Sequence, residues 1–170
     1  MATTDSKPIR KSGPPKRDWA AGNEAKYLSY KEAWVRIKLA QKQGYYLEAV
    51  TIEESILSDR MLSYLIKTRS QTLKGNVVKS FGLTLQAWSK LIAESGARDE
   101  AEASLCSEID DWRQMRNETV HGMVKSTVGH RDDHITDFLG AAKTAAERGE
   151  ELARQLDRWV KGGQTKSAKA

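Results

Sequence analysis

Residues 98–123 read RDEAEASLCSEIDDWRQMRNETVHGM, and their spacing decides the fold class. Leu105, Ile109, Trp112, Val120 and Met123 recur at helical intervals, and at about 100° per residue they form one stripe with Arg116 at its centre. The acidic residues before Leu105 suit a helix N-terminus, because its exposed N–H groups carry partial positive charge. Gly122 gives the helix a place to end or bend. A long amphipathic helix with a cation on its core stripe is the expectation for this stretch.

The rest of the chain repeats the pattern. All three prolines lie within the first fifteen residues, at Pro8, Pro14 and Pro15, so the remainder lacks the strongest helix breaker. Residues 24–42 predict a first helix that is apolar on two faces, Leu28, Val35 and Leu39 on one and Tyr27, Tyr30, Trp34 and Ile37 on the other. Such a helix is central or contacts a partner. Residues 46–69 predict a second, with Leu47, Val50, Leu57, Met61 and Leu65 on a stripe centred on Glu54. Residues 70–80 are polar and basic and read as a loop. Leu83, Leu85, Trp88, Leu91 and Ile92 predict a short helix that stops near Ser95-Gly96. A last helix starts near Asp132 or Asp133 and carries Ile135, Leu139, Ala142, Ala146, Ala153, Leu156 and Val160. No stretch alternates with period two. The expectation is therefore all-α: an up-and-down bundle of four long helices plus a short helix.

Charge is distributed unevenly. The formal net charge is +5 over 170 residues. Residues 1–17 and 161–170 hold eight of the basic side chains and one acid, which leaves 20 basic against 22 acidic between them. The body is not basic. Residues 1–20 and 162–170 read as mobile basic tails flanking one domain at 21–161. No run is long and apolar enough for a membrane span, and the first twenty residues lack a signal-peptide core, so a soluble, cytoplasmic protein is expected. The lone Cys106 can form neither an internal disulfide nor a zinc cage.

Two opposite charges on two core stripes are costly to bury apart, so Glu54 and Arg116 are expected to face one another or share a cleft. Asn117 follows the arginine directly, and His121 comes five residues after it, on the side of the helix shared by Arg113 and Asn117. His130 and His134, four apart beside Asp132 and Asp133, lack a third strong ligand and read as polar capping residues, so no metal is expected. Lys67, Arg69, Lys74 and Lys79, with Arg60 a little upstream, form a local basic region that reads as a solvated loop or, alternatively, as a track for an RNA backbone.

Arg116-Asn117, three residues and His121 resemble the motif of the HEPN superfamily, the higher eukaryotes and prokaryotes nucleotide-binding domains. The likeness extends to an all-helical domain of this length, to the motif's place late in a penultimate long helix and to the acid in the second helix. It implies a metal-independent ribonuclease that needs no cofactor and acts as a homodimer on RNA, of the kind found in toxin–antitoxin pairs and phage defence. On that resemblance Arg116 and His121 are catalytic, with Glu54 and Asn117 auxiliary and Arg113 beside the RNA. A cognate antitoxin would be the regulatory partner. The alternatives are a non-catalytic HEPN-like module that binds nucleotide or a partner, and a helical adaptor or antitoxin that uses its two-faced first helix.

Overall fold

The computed structural model describes the backbone of residues 19–69, 75–94, 100–122 and 131–167. Those residues are almost entirely helical: α1 (Trp19–Gln43), α2 (Tyr46–Arg69), α3 (Gly75–Lys79), α4 (Phe81–Glu94), α5 (Glu100–Gly122) and α6 (Arg131–Ser167). The all-α class follows. Part of the stretch expected as a loop forms the one-turn α3, and α6 continues past the boundary expected at residue 161, through Gly162-Gly163, to Ser167.

A glycine sets the first turn. Gly44 has φ of 79°, a left-handed conformation that costs glycine little. There the Tyr45 amide donates to the Ala40 carbonyl at 2.8 Å, closing α1 with a Schellman-type bond. So tight a connection folds α2 back on α1, and Lys26 near the start of α1 meets Asp59 and Ser63 towards the end of α2. Ser80 caps the start of α4, its hydroxyl accepting the Leu83 amide at 3.4 Å. The buried Thr84 hydroxyl bonds the Val77 carbonyl at 2.6 Å, which ties α3 to α4.

Contacts between helices give their directions. α5 and α6 are antiparallel, because the Trp112 indole donates to the Ala145 carbonyl at 2.8 Å while Trp159, further along α6, donates to Glu102, earlier in α5. α2 and α6 run parallel: Gly149 lies against Glu53, and about two turns on, Asp157 meets Arg60. α2 packs on α1, α4 and α6, so it is the central helix. The core gathers Ile37, Leu57, Met61, Trp88, Ile109, Trp112, Leu152 and Leu156. Each such aliphatic side chain contributes about 1.5–3 kcal/mol on burial. Small residues in α6, among them Ala145, Ala146, Gly149 and Ala153, are buried and let the neighbouring helices approach.

Three apolar stripes differ in detail from the sequence reading. In α5 the buried residue near the end is Thr119, 5% exposed, whereas Val120 is 40% exposed, and Met123 lies outside the described residues. Ile135 and Leu139 of α6 are exposed, so its buried stripe begins at Ala142. In α1 the Leu28, Val35 and Leu39 face lies open, while Ile37 and Ala40 face the core. One of the two apolar faces is thus left uncovered by the described residues.

Candidate functional site

Glu54 and Arg116 meet, as the two projections required. The Arg116 Nη2 forms an ion pair with Glu54 Oε2, joining α5 to α2. Its Nη1 donates to Asn117 Oδ1 at 2.6 Å, so the next residue in sequence holds the other arm of the same guanidinium. The two charged side chains are 19% and 26% exposed, which puts the pair at the edge of the core with one side toward solvent. The Nε is enclosed and has no hydrogen-bond partner. Five N–H donors in a planar fork make such a group a receptor for carboxylate or phosphate oxygens.

His121 stands in the last turn of α5 and is exposed. The 1.5 Å rise per residue places it roughly 7.5 Å along the axis from Arg116 and about 140° around it. One chain therefore does not aim both side chains at one point. Arg113, one turn before Asn117, leans elsewhere: its Nε donates to Asp110 Oδ1 at 2.8 Å, and its side chain lies beside Gly82 of α4. That hydrogen bond outweighs burial and holds the Asp110 carboxyl below the usual range.

The basic region expected to follow RNA is only partly gathered. Lys67 is exposed in the last turn of α2, Arg69 ends that helix, and Lys79 is exposed at the end of α3. Arg60 is drawn away from them, paired with Asp157 of α6 at 2.7 Å and stacked 4.0 Å from the centre of the Tyr30 ring. Lys74 and His130 lie outside the described residues, while Asp132, Asp133 and His134 fall in the first turn of α6. Among the described residues, no three His, Cys, Asp or Glu side chains converge as metal ligands would.

Sequence reasoning missed the residue next door. Glu53 is fully buried, and its Oε1 accepts from Gln41 Nε2 at 3.4 Å. Its Oε2 has no partner and lies so close to the α-carbon of Gly149 that a Cβ there would collide with it and come within 2.9 Å of the Trp112 indole. Burial, then the charge of Glu150, pushes the Glu53 carboxyl up to about 9, against the opposing Gln41 hydrogen bond. It is protonated at neutral pH. Its signal lay in Ala49 and Ile56: adding them to the α2 stripe moves the centre from Glu54 toward Glu53.

No family model, curated protein or solved structure matches this chain.

Proposed function

We propose that this protein is a metal-independent endoribonuclease of HEPN-like architecture, active as a homodimer. The observation that carries the reading is the Arg116 guanidinium, held by Glu54 and Asn117, with His121 exposed one turn beyond Asn117. The alternating directions of α1, α2, α5 and α6 suit an up-and-down bundle, with α4 as the added short helix. A toxin or phage-defence effector in the cytoplasm, restrained by an antitoxin, is the role the resemblance suggests.

The chemistry follows from the groups. A base removes the proton of an RNA 2′-hydroxyl, whose oxygen attacks the adjacent phosphorus. The bond to the 5′-oxygen breaks, and an acid protonates that oxygen, leaving a 2′,3′-cyclic phosphate and a 5′-hydroxyl. Arg116 is suited to the phosphorane oxygens, being permanently charged and forked. Imidazole titrates near neutrality and fits the proton transfers. One histidine cannot be base and acid in the same step, and in one chain His121 points away from Arg116. A two-fold axis beside α5 would supply a second histidine and a second arginine.

A second reading draws on the enclosed Nε of Arg116 and its engagement by Glu54. On that reading the pair is a clamp between α2 and α5 in a non-catalytic binding module. Incubation with mixed cellular RNA in EDTA separates the two. Wild type is expected to cleave, to spare 2′-O-methylated RNA and to lose at least roughly 10²-fold in rate on His121→Ala with an unchanged melting temperature. Undiminished cleavage by folded His121→Ala protein would overturn the nuclease assignment, and no cleavage by wild type favours the clamp.

A further inference from the structure

Helices α1, α2 and α6 enclose a cleft of about 560 Å³ that takes no part in the chemistry above. Six cations line it against one acid, Asp157. Most of these cations are already engaged. Arg60 and Lys161 both pair with Asp157, Lys26 pairs with Asp59, and Arg154 pairs with Glu150. Among the described residues no acid pairs with the remaining two, Lys31 and Lys38, and both are exposed. The floor is fixed: the Arg60–Asp157 pair is only 15% exposed, and the Tyr30 hydroxyl donates to Asp59 at 2.5 Å. Arg154 lies 4.3 Å from the centre of the Trp34 ring, which stiffens that wall.

The rim has a repeating pattern. Tyr27, Lys31, Trp34 and Lys38 are spaced four, three and four along α1, so they share one stripe of the helix. Ring, cation, ring and cation follow one another at steps of about 6, 4.5 and 6 Å. Tyr27 is 68% exposed, and with Lys31 it presents an open ring beside an open cation at the rim.

We infer that the stripe of α1 and the cleft beneath it bind single-stranded RNA, with a base stacking on Tyr27, the Trp34–Arg154 pair forming the wall beside it, and phosphates meeting Lys31 and Lys38. A single strand presents the complementary alternation of flat base and charged phosphate, and stacking of this kind tolerates any sequence. A run of about 16 Å from Tyr27 to Lys38 is longer than one nucleoside phosphate requires, which favours a strand over a free nucleotide. An acidic peptide would satisfy the lysines and leave the rings unused. This surface is separate from Arg116 and His121, and the inference does not depend on their chemistry.

Binding is read by fluorescence anisotropy of a labelled 12-nucleotide unstructured RNA, using the full-length protein carrying His121→Ala in EDTA, so that the RNA is not consumed. Tyr27→Ala is expected to weaken binding roughly fivefold or more. Lys31→Glu with Lys38→Glu should weaken it further and reduce the slope of log affinity against log salt by about 1.4, two phosphate contacts on a single strand. Lys90→Glu with Lys143→Glu, the same charge change on α4 and α6, should leave most of the affinity. Wild-type binding by both rim variants would overturn the inference, as would an equal loss in the Lys90/Lys143 control. Equal affinity for AMP or ATP would reassign the cleft to a free nucleotide, and equal competition by polyglutamate would reduce it to a charged patch. Because binding and cleavage are measured separately, a protein that binds here without cutting fails only the nuclease assignment.

Discussion

Glu53 and Glu54 are neighbours on α2 with the same side chain, yet the fold treats them as different chemical groups. Glu53 is sealed between α1, α2 and α6, with Gln41 as its hydrogen-bond partner, and keeps its proton. Glu54, about 100° further round the helix, reaches Arg116 at the edge of the core. A buried carboxyl with no cation beside it is cheapest when neutral, whereas one facing a guanidinium can remain ionised. The difference teaches that a charged residue on a core stripe can be accommodated in two ways, and that one position of helix rotation selects between them.

The largest expected effect comes from closing the space around Glu53. Gly149→Leu places a side chain where Glu53 Oε2 and the Trp112 indole already lie. It should cost about 3 kcal/mol or more, lowering the melting temperature by roughly 6–12 °C. An unchanged melt would mean that α6 does not press on Glu53, and the contrast between the two acids would break.

A smaller effect sharpens the contrast through pH. The Glu53 carboxyl is raised from 4.5 to about 9, so its proton favours the fold fully at low pH. That contribution is lost progressively as pH rises from the unfolded value toward the folded one, because the folded state retains a proton the unfolded chain releases. Urea denaturation of wild type at pH 5 and pH 8 should show this as lower stability at pH 8. Glu53→Gln, which cannot ionise, should flatten the dependence between those pH values. Identical pH profiles for wild type and variant would show that Glu53 ionises freely.

Breaking the other pair should matter less to stability and more to activity. Arg116→Ala strands a Glu54 that water can partly reach, so about 1–2 kcal/mol is expected, a fall of some 2–8 °C in melting temperature. Arg116→Lys should recover part of that stability while RNA cleavage stays impaired, since a point charge does not replace the fork. Full cleavage by Arg116→Lys would leave Arg116 as a clamp only.

Most of the helices were legible because apolar residues at spacings of three and four report burial directly. The pairing of Glu54 with Arg116 was legible for the same reason, since each projects onto the core side of its own helix. What escaped depended on neighbours distant in sequence. The protonated Glu53 depends on burial beneath the small residues of α6, and no local pattern announces that Gly149 will lie over a carboxyl. The open face of α1 and the exposed Val120, Ile135 and Leu139 escaped because spacing identifies an apolar residue without saying whether another helix covers it. Arg60 read as part of a basic run because its partner Asp157 lies in another helix.

The cap over Glu53 has a consequence for the order of assembly. Gln41 donates to the Ala146 carbonyl across 105 residues of chain, at 3.3 Å, so this side of the core is completed only when α6 docks. In an α1–α2 hairpin without α6, Glu53 would be open to water and ionised at neutral pH. Docking must then be accompanied by proton uptake from water. The closing step of folding is thus expected to slow as alkalinity rises, in a nascent chain as in a refolding one, and Glu53→Gln should remove that brake.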